Sequence, residues 1–111
     1  MATELISQPC NSNGAVITFT AADATGNFFS NNGRKVLRVV NSGTLDITIT
    51  IQSPTPCDQG YTHNIVSTVV AGQTKDFGPF RTTRFNDSSG HVNVTYSDVT
   101  NVTVALIEYI Y

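Results

Sequence analysis

The sequence predicts an all-β protein, an antiparallel β-sandwich of about seven or eight strands of the Ig-like or the jelly-roll type. Apolar and polar residues alternate in several short segments, most strictly over residues 45–52. Turn-forming residues separate these segments at intervals of roughly ten residues. No segment shows helical periodicity of useful length.

Two divisions of the chain follow from this pattern. Residues 1–14 have little periodicity and end in Asn13-Gly14, a turn signal, so they are predicted to be an N-terminal arm that packs on a neighbour or an edge segment. Residues 15–111 are predicted to be one β-sandwich domain. The predicted strands within it are 15–21, 35–40, 45–52, 63–70, 75–77, 91–96 and 102–109.

The connections are predicted from turn chemistry. Ser42-Gly43 is short enough to predict a hairpin between strands 35–40 and 45–52. Residues 22–34 are rich in Asn, Gly and Ser and are predicted to be a long loop, with Phe28-Phe29 as a plug over the core. Pro54 and Pro56 place residues 52–60 in a loop because proline cannot donate to a strand ladder. Residues 86–90 are predicted to form a hydrogen-bonded turn rather than a calcium loop.

The composition limits the classes of partner. Charged residues make up 13% of the 111 residues and the net charge is −2, whereas a typical domain is about 25% charged. Six dispersed Lys and Arg form no basic patch, so no nucleic-acid partner is expected. A weakly charged, Thr-rich surface suits burial against another protein because few charges must be desolvated.

No apolar run reaches the roughly 20 residues that a membrane-spanning helix needs, so no membrane association is expected. The N-terminus lacks the basic and apolar regions of a signal peptide, and synthesis in the cytoplasm is expected.

The sequence also lacks a recognisable catalytic motif. His63 and His91 lie outside any known active-site pattern, and Glu4 and Glu108 are too far apart in sequence to be paired by any motif. We therefore expect no catalytic residue, no cofactor and no metal ligand, and a protein that is not an enzyme.

Cys10 and Cys57 both lie beside proline in loop-like segments, which leaves their thiols accessible. The sequence permits two reduced thiols, as is usual in the cytosol, or a disulfide within one chain or between neighbouring chains. The apolar end Tyr109-Ile110-Tyr111 predicts either a strand completed within the core or a surface covered by a partner.

One stretch of the chain, residues 39–106, resembles a protein family. The matching motifs are Val40-Asn41-Ser42-Gly43, Val70-Ala71-Gly72-Gln73-Thr74, Gly78-Pro79-Phe80, Arg84-Phe85-Asn86-Asp87 with Gly90, Val92-Asn93-Val94-Thr95-Tyr96 and Val102-Thr103-Val104-Ala105. In their order these motifs resemble the small β-sandwich capsid decoration, or cement, proteins of tailed bacteriophages. Residues 1–34 and the two cysteines are not part of the resemblance.

The resemblance implies a structural role on the outer surface of a phage head, in the virion, for a protein made in the host cytoplasm. Such proteins bridge neighbouring capsomers, often as trimers, so the implied partners are the major capsid protein and other copies of this chain. The arm, with Thr3, Glu4, Leu5 and Ile6, and the terminal Tyr109 and Tyr111 are the candidate partner contacts. A tail or neck component and a lectin-like attachment module are the alternative functions.

Overall fold

The computed structural model of the protein describes residues 3–10, 12, 14–54 and 63–109. Within them the chain is nearly all β, with ten strands and one four-residue helical turn. The elements are β1 (Thr3–Glu4), β2 (Gln8–Cys10), β3 (Thr20–Ala21), β4 (Asn27–Ser30), β5 (Lys35–Asn41), β6 (Ile47–Ile51), β7 (Ile65–Val69), β8 (Thr74–Phe77), α1 (Thr82–Phe85), β9 (His91–Tyr96) and β10 (Val102–Tyr109).

The strands form two mixed sheets. The first sheet has the order β1-β4-β9-β6-β7, and the second has the order β2-β10-β5-β8 with β3 also paired to β10. Two pairs are parallel, β1 with β4 and β2 with β10, and every other described pair is antiparallel. The predicted all-β class is therefore confirmed, but the sheets are not purely antiparallel because the two N-terminal strands run parallel to their neighbours.

A single hydrophobic core lies between the two sheets. Ile47, Ile49 and Ile51 of β6 are buried, whereas Thr48 and Thr50 are half-buried on the opposite face, as strand alternation requires. From the second sheet, residues such as Leu37 and Leu106 join the same cluster. One shared core between two facing sheets is an arrangement compatible with a β-sandwich.

The two sheets are connected at both of their edges, which we call the N-terminal edge and the β7/β8 edge. The N-terminal edge contains β1 in one sheet and β2 with β3 in the other, since only three residues separate β1 from β2. The β7/β8 edge lies on the opposite side, where the Lys75 Nζ of β8 donates to the Thr68 carbonyl of β7 at 3.2 Å.

The predicted hairpin between strands 35–40 and 45–52 is wrong. β5 lies in the second sheet and β6 in the first, so the connection through Ser42-Gly43 crosses between the sheets. The Asn41 side chain explains the crossing. Its Nδ2 donates to the carbonyls of Leu45 and Val69 at 2.7 and 3.0 Å, and its Oδ1 accepts from the Gly43 N–H at 3.1 Å.

The predicted loop over residues 22–34 is also wrong in part, because it contains strand β4. This strand pairs with β9, and Phe29 is fully buried in the core. Phe28 points to the outer face, where its ring lies 5.0 Å from that of His91. The two phenylalanines are therefore strand residues on opposite faces rather than a plug in a loop.

The predicted strand 15–21 is correct only at its end, since β3 contains Thr20 and Ala21 alone. Residues 14–19 are exposed or half-buried and form no regular structure. The predictions for 91–96 and 102–109 are confirmed at both bounds, and the other predicted strands are confirmed within two residues at each end.

Candidate interaction surfaces

The potential metal ligands among the described residues are dispersed. No group of three or more His, Cys, Asp or Glu side chains among them could hold a metal ion. His91 stacks on Phe28 at the outer face of the first sheet, and the His63 carbonyl accepts from the Arg84 guanidinium at 3.0 Å. The His91 ring therefore packs within the fold, whereas the contact at His63 is made by the backbone carbonyl.

The 86–90 turn is a hydrogen-bonded turn, as predicted. The Asp87 Oδ1 accepts from the backbone N–H groups of Ser89 and His91 at 2.8 and 3.0 Å, and its Oδ2 accepts from Asn93 Nδ2 at 3.0 Å. The Asn93 bond and then the His91 N–H lower the pKa of Asp87 because they favour the carboxylate. Intrachain donors thus already contact both carboxylate oxygens.

The N-terminal residues are tied into the fold by a polar network. The buried Asn27 donates to the Thr3 carbonyl at 3.0 Å and accepts from the Tyr96 hydroxyl at 2.7 Å. The Thr3 hydroxyl in turn donates to the Asp23 carboxylate. Burial raises the pKa of Tyr96, so its hydroxyl remains a donor.

The predicted N-terminal contacts now have positions. Thr3 and Glu4 form the exposed strand β1, and the Leu5 side chain is buried in the chain's own core. Ile6 is 73% exposed at the N-terminal edge. As a partner contact, Ile6 is therefore better placed than Leu5.

The structure describes only some of the residues in the predicted disulfide and the predicted C-terminal contacts. Cys10 is half-buried in β2, opposite Tyr109 of β10. Cys57, Tyr111 and the side chain of Tyr109 lie outside the described residues. The disulfide and the C-terminal contacts therefore stay predictions.

The central strands of the first sheet present an uncharged polar outer face. Its central strands present Thr48 and Thr50 of β6 beside Asn93 and Thr95 of β9. The described strands add the Glu4 carboxylate of the edge strand β1, next to Phe28, and the titratable ring of His91. The Asp87 carboxylate also reaches this face, where it accepts from Asn93. Covering such a face with another protein would desolvate few charges.

Exposed apolar side chains gather at the two opposite edges of the molecule. Ile6, Val16 and Phe19 lie along the N-terminal edge, before and between β2 and β3. Val66 lies in β7 and Val70 directly after it, at the opposite edge. Leu45 lies near the same end of β7, because Asn41 donates to the carbonyls of both Leu45 and Val69. Of these exposed apolar residues, only Ile6 was a predicted partner contact. The exposure of the other side chains depends on which strand lies at an edge.

A cleft of about 430 Å³ opens beside α1, at the end of the sheets where β6 ends and β7 begins. Its lining includes Phe77, Phe80, Phe85, Arg81 and Arg84. The three phenylalanine rings are buried in the core, and Phe80 packs edge-on against Phe85 at 5.4 Å between centroids. The cleft therefore offers guanidinium groups and backbone to a ligand, but no flat aromatic platform.

Comparison with known proteins adds no relative. No family model, no curated protein and no solved structure matches this chain. Among the described residues, no helix has the length and apolar character to cross a membrane.

Proposed function

We propose that this chain is a structural virion protein, a capsid decoration or cement protein that binds the outer surface of a phage head. By bridging neighbouring capsomers it would stabilise the shell, because a ligand that binds only the assembled lattice shifts the equilibrium towards that lattice. Many symmetric copies would multiply a modest contact energy.

The observation that carries the proposal is a nested order of strand pairing. β6 pairs with β7, β5 with β8, β4 with β9, and β3 with β10, all antiparallel. A ribbon folded over at β6–β7 and rolled into two sheets has this order, which is the arrangement of a jelly roll. We therefore favour the jelly-roll type over the Ig-like type.

The link from this topology to the function is an analogy at the level of fold, since jelly rolls occur in viral capsid proteins and in lectins. Three features of this chain favour the capsid role over the lectin role. The motifs of residues 39–106 resemble decoration proteins, the central strands of the first sheet present uncharged side chains on their outer face, and two opposite edges expose apolar side chains.

A lectin-like attachment module would have to bind sugars rather than a protein shell. Sugar rings stack on exposed aromatic faces in many such modules, and the phenylalanines of the α1 cleft are buried instead. A tail or neck component would share the fold, and the position in the particle separates it from a decoration protein.

Co-sedimentation with phage heads tests the proposal. The purified chain is mixed with undecorated expanded heads from the phage that encodes it, with unexpanded heads as a control, and in parallel is applied to a glycan array. Saturable binding to expanded heads, with raised heat resistance of the heads and no glycan signal, supports the decoration role. Glycan binding without head binding would instead establish the attachment module.

A further inference from the structure

Residues 14–19 have the sequence of a β-strand but no partner strand. The segment reads Gly-Ala-Val-Ile-Thr-Phe, without a charge or a proline, and its β-branched and aromatic residues favour strands. Val16 is 95% exposed and Phe19 is 37% exposed. Sequence preference and structure disagree here, and such disagreements concentrate at functional positions.

The Gln8 side chain holds this segment alongside the second sheet. Its Nε2 donates to the Thr18 carbonyl at 2.7 Å, and its Oε1 accepts from the Thr18 N–H at 2.8 Å. The Gln8 amide thus makes the two bonds to Thr18 that a neighbouring antiparallel strand would make. Thr18 directly precedes β3, which pairs with β10 along the same edge. In an extended chain the backbone groups of Ile17 and Phe19 then point to the other side.

Those backbone groups are unpaired. Within the described part of the chain, Ala15, Val16, Ile17 and Phe19 form no backbone hydrogen bond. An exposed row of unpaired N–H and C=O groups, flanked by apolar side chains, is a template for pairing with another strand.

The other described edges differ in how they are protected. β1 has two residues and includes Glu4, β2 contains Pro9, and β8 contains Lys75 and Asp76. Charge, proline and short length are the usual ways in which edge strands avoid pairing. β7, Ile65–Val69, has five residues with neither charge nor proline, and its Val66 is 64% exposed.

We propose that this protein associates with itself head to tail, with residues 15–19 of one copy pairing along β7 of a second copy. The two segments have the same length of five residues and are both uncharged. In a parallel pair, the outward backbone groups of Ile17 would bond those of Val66 and Thr68. This register places Val16 beside Val66 and Thr18 beside Thr68.

The position of the two segments sets the symmetry of the assembly. The donor segment lies at the N-terminal edge and β7 lies at the opposite edge, so each copy carries one of each. Such a heterologous contact produces a closed ring or an open chain rather than a two-fold dimer. The proposal concerns the chain in solution and does not rest on the virion role.

Lys75 partly protects the accepting edge. Its Nζ donates to the Thr68 carbonyl at 3.2 Å and to the Ser67 hydroxyl at 2.8 Å, and both residues belong to β7. An incoming strand displaces this exposed side chain. Lys75→Ala is therefore expected to lower the dissociation constant by up to about fivefold, the range of a surface polar contact.

Light scattering coupled to size-exclusion chromatography tests the proposal on the full chain over a range of concentrations. The wild type is expected to form oligomers. Val16→Lys in the donor and Val66→Lys in the acceptor each place a charge in the pairing edge, so each variant alone is expected to be monomeric, with a dissociation constant raised about tenfold or more.

An equimolar mixture of the two variants is the decisive sample. The Val66→Lys copy retains an intact donor and the Val16→Lys copy an intact β7, so the mixture is expected to form a dimer that does not grow further. Ser89→Lys, at an exposed turn away from both edges, is the matched charge control and is expected to oligomerise like the wild type. Circular dichroism melting verifies that all variants are folded.

Three results would overturn the proposal. One is a wild type that stays monomeric at all concentrations. Another is a pair of lysine variants that oligomerise as the wild type does. The third is a mixture that stays monomeric although each variant retains one intact segment, because this would show that the two segments are not each other's partners.

Discussion

Asn41 shows how one buried side chain directs the path of the chain. It is 1% exposed, and its amide bonds the carbonyls of Leu45 and Val69 and the N–H of Gly43. These bonds hold the crossing from β5 to β6 against the end of β7. An apolar side chain in the same place would leave the three backbone groups without their partner.

Asn41→Ala is therefore expected to lower the free energy of unfolding by about 2–3 kcal/mol, the cost of leaving buried polar groups unsatisfied. Urea denaturation followed by circular dichroism measures this value. Thr44→Ala in the same connection, at an exposed residue, is the control and is expected to cost less than about 0.5 kcal/mol. Equal midpoints for the two variants would contradict the role given to Asn41.

Asp23 links the N-terminal strand to the turn before β4. The Thr3 hydroxyl, followed by the N–H and hydroxyl of Thr25, lowers the pKa of Asp23 from its ordinary value of 3.8 to about 2. The carboxylate is the form that accepts these bonds. Its contribution to stability is thus present above about pH 4 and is lost as the pH falls towards 2.

Thr3→Val removes the first of these donors and is expected to raise the pKa of Asp23 towards 3.8. Carboxyl titration by NMR measures the shift. Asp98, whose pKa is lowered by its own bonds to the N–H and hydroxyl of Thr100 and the N–H of Val99, serves as the internal control. An Asp23 pKa that does not change in Thr3→Val would show that β1 is not held by this bond.

At the scale of elements, the turn from β3 to β4 depends on a glycine. Gly26 has a φ of +103°, and a Cβ atom there would lie 2.7 Å from the Val94 carbonyl oxygen of β9. Both the backbone conformation and the close approach exclude a side chain. This turn places β4 beside β9, where Phe29 enters the core.

Gly26→Ala is expected to destabilise the fold by about 2–4 kcal/mol, since strain and a backbone clash add. Gly72→Ala is the matched control, because Gly72 has a φ of +82° but open space around it. Gly72→Ala is expected to lower the free energy of unfolding by only about 1 kcal/mol, the cost of a positive φ in alanine. Thermal or urea unfolding compares the two, and equal losses would show that the approach of β9 is not limiting.

Long alternating strands were predictable from sequence, and short or isolated ones were not. In β9, alternation over six residues indicates both the strand and its buried face. β10 was recognisable from its length and apolar, β-branched content instead, since residues 104–107 are all buried. β4 has four residues between Gly26 and Asn31, so polar neighbours obscure its pattern. Residues 15–19 show the converse, because a strand pattern without a partner strand stays unpaired.

The interaction surfaces were less predictable than the strands. Low charge was visible in the composition, but the choice of edge strands follows from which pairs form across the chain. The hairpin prediction failed for the same reason, since a side-chain amide at Asn41 decides the crossing between sheets. The parallel strands β1, paired with β4, and β2, paired with β10, have only two and three residues. Strands this short are too short for a periodic signal.

At the scale of the whole molecule, nested strand pairing, an outer face of low charge and apolar opposite edges describe a protein suited to contacts on several sides. A protein that bridges capsomers needs such contacts, both to the shell and to its own copies. The proposed head-to-tail pairing would supply the second kind, and the outer face of the first sheet is a candidate for the first.

Cryo-microscopy of phage particles assembled with and without this chain tests the central proposal most directly. For a decoration protein, we expect added density on the outer surface of the expanded head, at repeated positions between capsomers, into which the two-sheet fold fits. Heads without the chain would lack that density and lose their contents at a lower temperature. Particles that contain the chain but show no such density on the head, or that carry it only at the tail or neck, would contradict the decoration role.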